Sequence, residues 1–318
     1  MAKYPGDLGN RLALELLHQL EPQPLSKPFI GRIGRLTGLA KGGHGLNSAA
    51  NRLSGHVKML ADAIQCEALP EFEDNYLWVM SNSLRQAIIV DPGDAQLVLE
   101  QIKGGLKPVA IFVTHHHADH IGGIAELAKH CNAPIYAPLD ERIPIATHRV
   151  SHDQQIFVPE LDLQFRVMAV PGHTRSHVAY YGAGHLFCGD TLFSLGCGRL
   201  FEGSPEQMLH SLDVISTLPA ETRICCSHEY TLANARFAEA AEPDNPERDS
   251  LILRIREKRA QNQSSLPSRL DIELACNPFL RSDQTRLWPL WSRESGHMIQ
   301  NRLQAFTALR AWKDNFRL

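Results

Sequence analysis

The stretch Val109-Ala110-Ile111-Phe112-Val113-Thr114-His115-His116-His117-Ala118-Asp119-His120 is an apolar run that stops at a segment holding four histidines and an aspartate. A short apolar run before such polar residues reads as a buried strand. In an extended chain residues i and i+2 share a face, so His115 and His117 point together while His116 points away. A turn into a helix at Ile121 then swings Asp119 and His120 towards a neighbouring position. This arrangement predicts two adjacent metal ions rather than a solvated surface cluster of histidines, because a strand precedes it and a helix follows.

A two-metal site needs more ligands, and open α/β sheets gather function at the carboxyl ends of their strands. Further strand ends supply them. Leu163 to Val170 alternates and runs into Pro171-Gly172-His173-Thr174, His185 to Cys188 runs into Gly189-Asp190-Thr191, and Arg223 to Cys226 runs into Ser227-His228-Glu229-Tyr230. Imidazole with carboxylate suits zinc or iron and leaves harder ions open. Cys188, Cys225 and Cys226 sit in apolar strands and read as buried structural thiols.

The pattern His115-x-His117-x-Asp119-His120, followed by His173, Asp190 and His228, resembles the metallo-β-lactamase superfamily. Within it, Asp74-Asn75-Tyr76, Val90-Asp91-Pro92-Gly93-Asp94, Cys188 to Phe193, Gly196 to Gly203 and His228 to Thr231 are similar to hydroxyacylglutathione hydrolases, the glyoxalase II family, from about Met59 to Leu318. The resemblance implies one ion on His115, His117 and His173, a second on Asp119, His120 and His228, and Asp190 bridging them. It implies two divalent ions per chain, zinc first, with iron or manganese as alternatives. It also implies a glutathione site that includes Tyr230 and the pair Arg310-x-x-Lys313, whose spacing places both cations on one helix face. Arg199 stands where some relatives carry Lys, and Phe201 where some carry Tyr. His116 is left as a donor behind the ligands, and the remaining histidines, His177 among them, as core or surface residues.

Two close ions can lower the pKa of a shared water and polarise a carbonyl, which is acyl hydrolysis. A thiolate, with a conjugate acid near pKa ~8.5, departs without a strong protein acid, whereas an amide nitrogen does not. No separate general acid is evident, so a thioester fits. The resemblance implies S-D-lactoylglutathione as substrate, giving glutathione and D-lactate in the second step of methylglyoxal detoxification. The alternative is a glutathione persulfide dioxygenase on the same fold. It needs one iron and lacks the long helical C-terminal region. A non-catalytic binding protein is a third class, but it would have lost ligands.

The fold class expected is α/β: an αββα sandwich of the metallo-β-lactamase type followed by a C-terminal helical domain. The boundaries are an extension over residues 1–58, a catalytic domain over 59–230 and a helical glutathione-binding domain over 231–318. Helices are expected over Ala95 to Lys103, Ile121 to His130, Thr231 to Ala241, Pro246 to Gln263 and Ile299 to Trp312. Another follows the capping box of Ser204-Pro205-Glu206-Gln207, with Met208, Leu212 and Ile215 on its apolar face. The first 58 residues are rich in glycine and proline and read as disordered or as a product of start-site choice, with translation beginning at Met59.

Composition agrees with a globular enzyme: 318 residues, 43% hydrophobic and 21% charged. A formal charge of -3 provides no basic footprint for nucleic acid. No apolar run of membrane length occurs, so no membrane association is expected. Seven scattered cysteines favour a reducing, cytoplasmic location. The expected partner is a small glutathione thioester, and the expected state a monomer.

Overall fold

The structure is a computed structural model that describes residues 64–317, and the expectations for residues 1–58 lie outside that range. Alternation within the apolar runs sorts side chains onto the faces of two six-stranded sheets. The first contains β1 (Gln65–Glu71), β2 (Asn75–Ser81), β3 (Gln86–Val90), β4 (Lys107–Phe112), β5 (Ile135–Pro138) and β6 (His148–Val150), in that spatial order. Pairing is antiparallel from β1 to β3 and parallel from β3 to β6.

The second sheet begins with β7 (Gln155–Val158), β8 (Leu163–Ala169), β9 (Val178–Gly182) and β10 (His185–Gly189). A small hairpin of β11 (Leu192–Phe193) and β12 (Gly196–Cys197) intervenes before β13 (Arg223–Cys226) and β14 (Ser268–Arg269). The sheet order is β14-β13-β10-β9-β8-β7, and only β10 and β13 run parallel. The two-residue β14 was not expected, because so short a strand carries no alternation to read.

Trp78, Met80, Ile88, Val90 and Phe112 face Phe165, Tyr180 and Phe187 of the other sheet in one core. Phe112 stacks on Tyr180 at 4.5 Å and meets Phe165 edge-on at 5.1 Å. The intervening residues Leu77, Val79, Ile89 and Ile111 turn to the opposite face. There they pack on Val98 of α1 (Ala95–Lys103), and on Ile124 and Leu127 of a helix following α2 (Ala118–Ile121), namely α3 (Ile124–Leu127). Burying each such side chain is worth roughly 1.5–3 kcal/mol, which locks the register of strands covered on both faces.

The helix expected over Ile121 to His130 is instead two short ones, α2 and α3, and it starts earlier. Gly122 and Gly123 interrupt it where the Gly123 amide donates to the Pro92 carbonyl at 3.0 Å. Next, α4 (Pro205–Ser216) has the expected capping box, with Ser204 Oγ accepting from the Gln207 amide and Gln207 Oε1 from the Ser204 amide. Then follow α5 (Thr231–Ala241), α6 (Pro246–Ala260), α7 (Leu270–Cys276), α8 (Trp288–Ser295) and α9 (Arg302–Asn315). The bounds of α1 and α5 match expectation. The sixth helix stops short of Gln263, where Asn262 takes a left-handed φ of 56°. The last starts at Arg302 rather than Ile299, because Asn301 caps it by accepting from the Gln304 amide at 2.9 Å.

The C-terminal helices build no separate main core. Phe237, Phe279, Trp291, Phe306 and Leu309 join the core that includes the second sheet. Arg302 of α9 also grips Asp213 of α4 with two hydrogen bonds of 2.6 and 3.0 Å. Among the described residues, no helix is long and apolar enough to cross a membrane.

Candidate metal centre

Backbone pairing brings the strand ends together. The Tyr76 amide donates to the Ser227 carbonyl at 2.6 Å and the Glu229 amide to the Asp74 carbonyl at 2.8 Å, sewing the start of β2 to the segment after β13. The first sheet delivers His115, His117, Asp119 and His120 after β4. The second delivers His173 after β8, Asp190 after β10 and His228 after β13.

All seven expected ligand residues meet there. His115, His117 and His173 form one trio, Asp119, His120 and His228 another, and His115, His120 and Asp190 a third between them, with ligand atoms in each within 4.8 Å of one another. His117 Nδ1 lies 3.1 Å from His115 Nε2 and 3.0 Å from His173 Nε2. Asp190 Oδ2 lies 3.4 Å from both His173 Nε2 and His228 Nε2, and Asp190 Oδ1 lies 3.5 Å from His120 Nε2. Asp119 Oδ2 stands 3.5 Å from His120 Nε2 and 3.6 Å from His228 Nε2. Donors ~2.1 Å from a tetrahedral ion are ~3.4 Å apart, so these separations suit coordination.

Hydrogen bonding on the far side of each ring explains the inward lone pairs. His120 Nδ1 donates to Asp91 at 3.1 Å, His228 Nδ1 to Asp74 at 2.9 Å and His173 Nδ1 to the Arg199 carbonyl at 2.9 Å. Each bond selects the tautomer that leaves Nε2 free to bind a cation. Behind His115, Nδ1 lies 3.0 Å from Thr114 Oγ1, whose hydroxyl donates to Asp91 at 2.6 Å. Asn75 steadies Asp119 by donating to its Oδ2 at 3.0 Å.

Two polar atoms test whether ions fit: His120 Nε2 and Asp190 Oδ1 are buried without a hydrogen-bond partner. Burying such groups unsatisfied is costly, and shared cations would satisfy both. Burial drives the His115 imidazole well below its ordinary pKa, as a neutral ligand requires.

Of the expected substrate residues, Tyr230 and the backbone of Arg199 touch this centre. Tyr230 stacks its ring on His228 at 4.6 Å and an interplanar angle of 3°. Arg199 and Arg310 meet at Asp314 Oδ1, at 3.7 and 2.8 Å. The Arg310 side chain is buried, and it also donates to the Cys197 carbonyl at 2.8 Å. Lys313 reaches the Ala233 carbonyl at 3.3 Å and lies over the Phe237 ring. Phe201 is exposed, with its ring 5.2 Å from His173 and 5.7 Å from His117. His116 faces Asp140 and Glu202, at 3.6 and 3.5 Å, rather than a ligand. Cys188, Cys225 and Cys226 are buried free thiols, and burial pushes Cys188 up to about 12.

Sequence reading assigned no role to Asp74, Asn75, Asp91 or Thr114. A carboxylate at the end of β3, parallel to β4, was the available signal for Asp91, which holds a left-handed φ of 51° while accepting from Thr114 and His120.

Comparison with known proteins supports the same reading. Residues 76–228 match the metallo-beta-lactamase superfamily, and residues 229–316 match the hydroxyacylglutathione hydrolase C-terminus. The hydroxyacylglutathione hydrolase of Nitrosomonas eutropha is 49% identical over 77% of this chain and 96% of its own length. Its namesake in Xanthomonas campestris pv. campestris is 50% identical over 79% of this chain and 98% of its own. Among solved structures, the BLEG-1 B3 metallo-beta-lactamase superposes with a TM-score of 0.53 at 24% identity, covering 68% of this chain and 99% of that one, a likeness of fold. Family matches over both regions, and relatives aligned almost end to end, lead to one conclusion: the chain belongs to the hydroxyacylglutathione hydrolase family of the metallo-β-lactamase superfamily.

Proposed function

We propose that the protein hydrolyses the thioester of S-(2-hydroxyacyl)glutathione, S-D-lactoylglutathione in particular, to glutathione and D-lactate. The observation that carries the reading is the convergence of seven imidazole and carboxylate side chains, grouped as two trios around Asp190, in a chain of this family. His115, His117 and His173 would hold one ion and Asp119, His120 and His228 the other, with Asp190 between them and zinc the expected metal. The bound pair would supply an acidified water and polarisation of the thioester carbonyl.

The chain's own groups provide orientation. Asp91, Asp74 and the Arg199 carbonyl fix three imidazoles, and Asn75 fixes Asp119. Arg199, Lys313 and Tyr230 are the groups offered to the peptide and carboxylates of glutathione, and Arg310 stands behind them. Burial holds the Tyr230 hydroxyl above its ordinary pKa, so it stays a neutral donor. The glutathione thiolate leaves unaided, consistent with the lack of a dedicated acid. A persulfide dioxygenase is not favoured, because residues 229–316 match the hydrolase C-terminus. The enzyme is read as cytoplasmic and monomeric.

The test adds S-D-lactoylglutathione to purified protein of known metal content and follows thioester absorbance and free thiol. Turnover that stops on chelation and returns with zinc is expected. No hydrolysis with two ions bound would overturn the reading.

A further inference from the structure

Behind the candidate ligands lies a histidine that the proposed chemistry does not use. His177 is 1% exposed, and its ring lies 4.6 Å from that of His115 at an interplanar angle of 19°. Its Nε2 is 3.2 Å from the backbone nitrogen of Asp190. A backbone N–H can only donate, so Nε2 must accept, which leaves the ring proton on Nδ1. That proton has an outlet, since Nδ1 lies 3.1 Å from the Val178 carbonyl and 3.4 Å from Thr191 Oγ1.

The residue before Asp190 is shaped to the same ring. Gly189 takes a left-handed φ of 49°, and a Cβ there would meet Thr114 Oγ1 at 2.4 Å and His177 Cε1 at 2.8 Å. The Gly189-Asp190 backbone is therefore seated directly on the imidazole. One side chain supports the ring of His115, in the first trio, and the main chain of Asp190, which stands between the trios.

We infer that His177 is a positioning residue for the metal centre: by accepting the Asp190 amide and stacking on His115, it aims the shared carboxylate between the two ions. The inference rests on the reading of the seven side chains as a dinuclear site. A ligand carboxylate held through its own backbone moves less than one held by its side chain alone, and lost outer support typically weakens metal affinity about 10–100-fold. An acceptor is required at 177, since an aromatic ring without nitrogen would leave the Asp190 amide buried and unpaired.

The test titrates zinc and cobalt into metal-free wild-type, His177→Phe and His177→Gln protein, reading stoichiometry, affinity and the visible spectrum of the cobalt form. Phe keeps a flat ring without the acceptor, and Gln restores an amide oxygen. The wild type should bind two ions. The Phe variant should hold the second about 10–100-fold more weakly with an altered cobalt spectrum, and Gln should recover most of the loss. Two ions bound by His177→Phe with wild-type affinity and spectrum would overturn the inference, as would a Gln variant no better than Phe. A wild type that binds no ions would instead overturn the dinuclear site and the inference with it. Nitrogen-15 spectra of histidine-labelled wild-type protein test the same point without any variant: an unprotonated Nε2 on His177 is expected, and a protonated Nε2 would refute the acceptor role.

Discussion

Asp74 and Lys313 show how single side chains divide the work at this site. Asp74 accepts a hydrogen bond from His228 Nδ1 at 2.9 Å. Asp74→Ala is therefore expected to weaken the ion near Asp119, His120 and His228 by about 10–100-fold while sparing the other. Competition with a chelating dye measures both affinities, and equal weakening of the two ions would refute the division. Burial, then the neighbouring Arg310, lowers the Lys313 ammonium to about 8. Its cationic form, which attracts carboxylates, is present below that pH and lost above it. KM for the thioester should accordingly rise as pH passes about 8, and Lys313→Arg, which does not titrate there, should flatten the rise. Lys313→Ala should raise KM roughly tenfold, the ~1.5 kcal/mol of one charge-assisted hydrogen bond, with kcat nearly unchanged. A fall in kcat alone would contradict a role in gripping the remote part of the substrate.

Between elements, the decisive contact is the turn from β3 into α1 against α2. Glu71 accepts from the Asp94 amide at 2.9 Å and the Gly93 amide at 3.3 Å, which seats the turn. A Cβ on Gly93 would lie 2.1 Å from the Asp119 carbonyl oxygen. Gly93→Ala should displace α2, costing about 1–3 kcal/mol of stability by overpacking. It should also reduce occupancy of the ion that Asp119 and His120 are expected to hold. Metal analysis beside a denaturation curve checks this, and full occupancy at wild-type stability would refute it. The same close approach explains why one continuous helix was the wrong expectation for Ile121 to His130. The apolar spacing of Ile121, Ile124 and Leu127 is helical, but adjacent glycines let the β3 turn intrude.

Across the molecule, the site is an edge where two sheets converge, and each supplies part of the ligand set. Metal bound by these residues would therefore tie the sheets together as well as serve the proposed chemistry. Ions that bind the folded state alone stabilise it by about 4 kcal/mol at a free concentration of 1,000 Kd. Chelation should lower Tm by several degrees, and zinc should restore it. An unchanged Tm after verified metal removal would mean that the sheets hold the edge without help. The C-terminal helices share the same main core, and Arg310 of α9 donates to the carbonyl of Cys197 in the β11–β12 hairpin. The helical region is thus fastened to the chain segment that also carries Arg199 and Phe201.

Strand ends rich in His and Asp, alternating apolar runs and the Ser204 capping box were legible along the chain, because each rests on neighbours within a few residues. Those local patterns determined the sandwich, the seven convergent side chains and the bounds of α1 and α5. Three-dimensional packing alone decided the partners behind the ligands. Asp74 lies 154 residues from His228 and Asp91 29 from His120, and nothing in the spacing of such pairs predicts their hydrogen bonds. His177 looked like an ordinary core histidine for the same reason: its importance lies in touching His115 and the Asp190 amide, contacts made only when β4, β9 and β10 pack together. Arg310, which the resemblance assigned to the glutathione site, is likewise buried against Cys197, a contact across 113 residues that its spacing from Lys313 does not reveal. Periodicity records which face a residue occupies, whereas hydrogen-bond partners depend on distances set by the whole fold.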